Sequence, residues 1–117
     1  MLIDFHLSFG AMLFWLLVGH VYFDYAGQGD FLALIKNHNT EPGKNLWHWG
    51  LPSHALLHAG SVALFTGSIG LGLTEAVIHA LVDRLKCNNK ISYNLDQVVH
   101  LLCKVVWAAI AVFLWRQ

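Results

Sequence analysis

Four apolar runs with polar breaks between them occupy most of the chain, and each is long enough to be read as a helix. The first covers residues 4–26 and stops near Gly27 and Gly29. A polar stretch follows from Asp30 to Lys44, where Asn37, Asn39, Pro42 and Gly43 act as breakers and predict a loop. The second run, 52–68, opens on Pro52 with Ser53 beside it, a combination that suits a first helical turn. The cluster Gly67, Gly70 and Gly72 predicts a tight turn before the third run, 73–87, which ends at Asn88 and Asn89. The fourth covers 94–115, with Ser92 and Asn94 as candidate caps.

A bilayer core takes roughly 17 to 25 apolar residues to cross, so the first, second and fourth runs have spanning length. The third is shorter and carries Glu75, His79 and Asp83, which predicts that its neighbours shield it from lipid. Together the runs predict one all-α domain over residues 1–117, an integral membrane bundle of four helices in up-down-up-down order.

Composition agrees with a lipid bilayer as the surrounding partner. Apolar residues make up 56% of the 117 residues and charged ones 12%, too little polar surface to cover a soluble protein of this size. Seven basic residues balance seven acidic ones, and nothing in that balance suggests nucleic acid. The run from Phe5 to Tyr22 has an acidic residue before it and no small-residue cleavage site after it, so it is expected to be retained as a membrane helix. Trp47, Trp49 and Trp115 stand where an interfacial aromatic belt is expected. Lys36, Lys44, Arg84, Lys86 and Lys90 follow the first and third helices, against Arg116 on the other side, so these connections are expected to face the cytoplasm and both termini to face away from it. Cys87 and Cys103 have no CxxC spacing and are expected to stay unpaired. A bundle this small leaves much surface facing lipid, which favours a homo-oligomer.

The eight histidines add chemistry to this picture. Each predicted helix holds one pair of metal-ligand residues four apart: His20 and Asp24, His54 and His58, His79 and Asp83, Asp96 and His100. That spacing aims both members of a pair from one helical face. The pairs lie at the end of the first and third helices and the start of the second and fourth, so an up-down bundle brings all of them to one depth, near the cytoplasmic face. These imidazoles and carboxylates suit one or two transition-metal ions, zinc first, with iron, manganese or nickel as alternatives, rather than calcium or magnesium. The competing account is a hydrogen-bonded or ionic network between helices. Glu75 shares a face with His79 as a partner of that ligand, a general base or a solvated helix end. Gln28 extends the stripe of His20 and Asp24, and Lys104 is placed to snorkel or to neutralise a carboxylate. His6 is at the far end of the first helix, while His38 and His48 belong to the long loop before the second run as exposed or interfacial residues. Gly60, Ser61, Gly67 and Ser68 suit close helix contact.

The segments His20-Val-Tyr-Phe-Asp24 with Gln28, His54-Ala-Leu-Leu-His58, Glu75-Ala-Val-Ile-His79-Ala-Leu-Val-Asp83-Arg84-Leu-Lys86 and Asn94-Leu-Asp96-Gln97-Val-Val-His100 resemble the domain of unknown function 3307 family of bacterial and phage membrane proteins. The resemblance covers nearly the whole chain, with Gly29 to Gly50 the least typical part. It implies a multi-helix domain in a bacterial inner membrane, or in the host membrane for a phage protein, and supplies no activity. The HxxxD and HxxxH pairs are also similar in style to those of membrane-bound metal-dependent hydrolases.

These features predict a membrane-embedded metal-binding protein, with a metal-dependent hydrolase at the cytoplasmic leaflet as the leading expectation. His54, His58, His79 and Asp83 would bind the metal, and His20, Asp24, Asp96 and His100 would complete a second site or an outer layer. Glu75 or Asp96, left off the metal, would act as general base on a lipid-like or interfacial substrate. The alternatives are a non-catalytic centre for metal or haem, and a small membrane interaction protein whose polar pairs specify helix packing.

Overall fold

The computed structural model describes residues 7–114. Asp4, Phe5, His6, Trp115 and Arg116, which entered the expectations above, lie outside the described residues. Within them the secondary structure is helical, without strands. Helix α1, Phe9–Val21, starts on Ser8, whose hydroxyl accepts the Ala11 N–H at 3.2 Å, and runs on into a π-helical turn, Tyr22–Ala26. It is followed by α2, Gly29–Ile35; α3, Glu41–Thr66; α4, Ile69–Cys87; and α5, Tyr93–Ala109, which ends in a second π-helical turn, Ile110–Leu114.

Three expected boundaries are corrected. The stretch 30–44, expected as a loop, holds α2 and the start of α3, and Pro52 lies inside α3 rather than at its head. The reason is local: Thr40 caps α3 by accepting the Gly43 N–H at 3.0 Å, and Pro42 occupies the first turn, where a missing N–H costs nothing. Similarly α4 begins at Ile69, before the expected Leu73, because Ser68 accepts the Leu71 N–H at 3.1 Å. Of the glycine cluster only Gly67, at φ 73°, takes the left-handed conformation that ends a helix. Ser92 caps α5 through the Leu95 N–H at 3.0 Å.

The four long helices share an interior. Helix α1 packs on α3 and α5, α4 packs on α3 and α5, and α2 lies along α3. Two glycines permit these approaches: a Cβ on Gly72 would stand 2.6 Å from the Ala59 carbonyl oxygen, and one on Gly50 would stand 2.8 Å from the Lys36 backbone nitrogen. The second contact seats α2 on α3 and turns Lys36 inward. Ser61 faces Gly19 between α1 and α3, whereas a Cβ on Gly60 would meet nothing.

Part of the interior is an apolar cluster of Met12, Leu16, Val62, Leu71, Trp107, Ala108 and Ala111. The remainder is polar: His20, His54, His58, Glu75, His79, Asp83, Asp96, His100 and Lys104 are each at most 1% exposed. Outside, Phe14, Leu56, Leu73, Val77, Leu81, Leu102 and Phe113 are all more than half exposed. The polar groups are thus concentrated in part of the interior while large apolar side chains stand outside. Two continuous helical stretches, Phe9–Ala26 and Tyr93–Leu114, are long and apolar enough to cross a membrane, with mean hydropathy 1.3 and 2.0.

Candidate metal centre

The helical periodicity that pairs residues four apart also turns each pair inward, and the packing of α1, α3, α4 and α5 brings the pairs together. At the centre stands one oxygen, Asp24 Oδ1. His58 Nε2 is 2.9 Å from it, His54 Nε2 3.1 Å and His79 Nε2 3.6 Å. His54 Nε2 and His79 Nε2 are 3.1 Å apart. A tetrahedral shell with metal–ligand bonds of about 2.0–2.1 Å has ligand atoms about 3.3 Å apart along each edge. The four measured separations scatter around that edge length.

Two members of the set, Asp24 and His79, are held from behind. Gln97 donates from Nε2 to Asp24 Oδ2 at 2.8 Å, which leaves Oδ1 to face the imidazoles. Its carbonyl oxygen accepts from His20 Nε2 at 3.0 Å, and the same amide nitrogen reaches Asp96 Oδ2 at 3.1 Å. His79 donates from Nδ1 to Glu75 Oε1 at 3.3 Å, so its Nε2 presents a lone pair to the centre. Glu75 is itself fixed by Lys104 Nζ on Oε1 and Trp107 Nε1 on Oε2, both at 2.6 Å.

The remaining pairs lie beside the set. His100 donates from Nε2 to Asp96 Oδ1 at 3.2 Å. Asp83 is approached by Lys86 Nζ at 2.7 Å and Lys36 Nζ at 3.2 Å, and its Oδ2 is 3.7 Å from His54 Nε2. Neither Asp83 oxygen has a well-directed hydrogen bond, although both are buried.

The residues fit a metal ion on two grounds. A carboxylate oxygen has two lone pairs, yet three imidazole nitrogens crowd Asp24 Oδ1 within 3.6 Å. Finally, the four carboxylates of Asp24, Glu75, Asp83 and Asp96 face only three ammonium groups, Lys36, Lys86 and Lys104, which leaves one negative charge in a low-dielectric interior when the imidazoles are neutral. A divalent cation reverses that sign.

Asp24, rather than Asp83, has its carboxylate oxygen among the three imidazole nitrogens. His20 bonds to Gln97, and Asp96 bonds to Gln97 and His100. A further group, Glu75, His79 and His100, is also close enough to hold a cation, but the Lys104 ammonium already occupies that side of Glu75. Glu75 accepts from His79 and Lys104, and Asp96 accepts from His100 and Gln97. Gln28 donates to the Asp24 backbone carbonyl at 3.1 Å. His38, after α2, and His48, on α3, stay outside the cluster and contact the Trp47 ring. Cys87 and Cys103 are free thiols.

Sequence reasoning left Gln97, Lys36, Lys86 and Trp107 without a role in the site. Gln97 stands next to Asp96 within the quoted motif, a signal that was there to be read. Lys36 follows the short helix that the breakers concealed.

No curated protein and no solved structure matches the chain. A family profile described as "Protein of unknown function (DUF3307)" matches residues 12–116, and the chain belongs to that family.

Proposed function

We propose that the chain is an integral membrane protein, a four-helix bundle in up-down-up-down order, and that it works as a metal-dependent hydrolase whose centre opens towards the cytoplasmic leaflet. The observation that carries this reading is the convergence of Asp24, His54, His58 and His79, whose candidate ligand atoms all lie within 4.8 Å of one another. The apolar exterior supports the membrane setting, as does a long dimension of 48 Å against roughly 40–45 Å for a whole bilayer. The basic residues gathered near the end of α2, the start of α3 and the end of α4, namely Lys36, Lys44, Arg84, Lys86 and Lys90, support a cytoplasmic mouth and termini on the opposite side. The setting is then a bacterial inner membrane, or the host's for a phage protein.

Three imidazoles and one carboxylate suit zinc, with iron or manganese as alternatives. The ion would supply activation of water near neutral pH. His54, His58 and His79 would hold it, Asp24 Oδ1 would complete the set, and Gln97 and Glu75 would keep Asp24 and His79 in the required orientation. Asp83 is the carboxylate next to the set but outside it, with Oδ2 3.7 Å from His54 Nε2, and in this reading it would serve as the general base. Haem is disfavoured because the rings crowd one another: centroids of His58 and His79 lie 3.8 Å apart, and those of His79 and His100 4.0 Å. No slot for a macrocycle separates them.

The experiment is a panel of chromogenic carboxylic and phosphoric esters given to metal-loaded protein in nanodiscs. Turnover should require the metal, vanish with its chelation, and vanish in Asp83→Asn while that variant keeps its metal. Metal-loaded parent protein that turns over none of the panel would point to a structural centre.

A further inference from the structure

Beside the ligand set, two ammonium groups converge on one carboxylate. Lys36 arrives from the end of α2 and Lys86 from the last turn of α4, and both lie against Asp83. Lys36 is only 7% exposed, an uncommon position for a lysine in the absence of a strong ionic reason. Asp83 Oδ2 is 3.2 Å from Lys36 Nζ and 3.7 Å from His54 Nε2, so one oxygen position reaches both an ammonium group and the ligand set. Asp96 Oδ2, 3.7 Å from Lys86 Nζ, limits the site on the other side.

We infer that Lys36 and Lys86 form a phosphate-binding subsite at the rim of the metal centre, and that the group acted on carries a phosphate. The inference rests on the metal reading above. Asp83 holds the position of an anion without well-directed hydrogen bonds to either of its oxygens. Adding a divalent cation turns the buried excess of one negative charge into an excess of one positive charge, which calls for an anionic ligand. A tetrahedral phosphate offers several oxygens at once, so one can face the metal ligands while others accept from the two ammonium groups, a geometry that lysines serve as point charges. The incoming phosphate draws Lys36 and Lys86 away from Asp83 and frees that carboxylate. Lys86 is well placed to respond, because its side chain is 21% exposed at the mouth of the cluster.

Phosphorus NMR on cobalt-loaded protein tests this. Nanodiscs containing phosphatidic acid, with inorganic phosphate in the buffer, give separate resonances for lipid-borne and free phosphate, and paramagnetic broadening identifies whichever approaches the metal. The parent should broaden one of them saturably. Lys36→Gln and Lys86→Gln should retain cobalt but weaken the effect by about tenfold or more, the loss expected for a charge-assisted contact. Asp83→Asn should strengthen it, because a competitor for the ammonium groups is gone. Broadening that is unchanged in both lysine variants with cobalt retained, or absent in cobalt-loaded parent, overturns the subsite while leaving the metal centre standing. Failure of the parent to take up cobalt overturns both.

Discussion

Replacing Lys104 by Met separates what stabilises the bundle from what prepares the ligands. The Lys104 ammonium is buried 2.6 Å from Glu75 Oε1, while Trp107 donates to Oε2 and His79 to Oε1. Removing one partner of a buried ion pair costs about 3–5 kcal/mol because the other charge is left uncompensated. Lys104→Met should therefore lower the unfolding free energy by about that amount, measured by reversible denaturation in mixed micelles followed by circular dichroism. The double variant Glu75→Gln with Lys104→Met removes both charges and keeps the shape, so its stability should return to within about 1 kcal/mol of the parent. Metal binding should not return with it. Trp107 needs an acceptor, which turns the carbonyl of the introduced amide towards the indole and its NH2 towards His79 Nδ1. His79 must then carry its proton on Nε2, the atom that faces the ligand set. Loss of such a supporting partner lowers metal affinity by about 10–100-fold, or about 1.4–2.7 kcal/mol. Competition against a chromophoric chelator reads this directly. A Lys104→Met protein as stable as the parent, or a double variant that binds metal like the parent, would refute the reasoning.

Further outcomes follow from the same contacts. Gln97→Leu should leave the helical circular dichroism intact yet lower metal affinity by about 10–100-fold, because Asp24 Oδ2 loses its donor and His20 its acceptor; a chelator titration checks both. Gly72→Ala should destabilise the protein by about 1–3 kcal/mol, since the new methyl would meet the Ala59 carbonyl oxygen at 2.6 Å, whereas Gly60→Ala, with nothing within 4 Å, should be neutral or mildly stabilising in the same unfolding assay. Apparent metal affinity should rise with pH, because imidazole ligands must be unprotonated to bind, and a pH-indicator dye should register proton release on metal addition in weakly acidic buffer.

The periodicity of the chain carries some of these features and hides others for identifiable reasons. Apolar runs and residues four apart are local properties, so the ligand-bearing faces of α1, α3, α4 and α5 could be read in advance. The choice of Asp24 over Asp83 could not. Both are carboxylates at equivalent positions in their pairs, and what divides them comes from other helices: Gln97 on Asp24, Lys36 and Lys86 on Asp83. The start of α3 was obscured because Pro42 and Gly43 read as breakers when considered alone. Beside Thr40 and Glu41 they form a capped first turn, and the helix then continues through Pro52. Glu75, by its position alone, is as consistent with a solvated helix end as with its actual place, 1% exposed between Lys104 and Trp107.

The central claim is that Asp24, His54, His58 and His79 surround a metal ion. Elemental analysis combined with X-ray absorption on detergent-purified protein, produced with zinc, iron and manganese available, tests it most directly. The account predicts about one ion per chain, bound by nitrogen and oxygen atoms at about 2.0–2.2 Å, with the ion lost in His58→Ala and His79→Ala. Parent protein devoid of metal, or His58→Ala protein that retains its full complement, would contradict it.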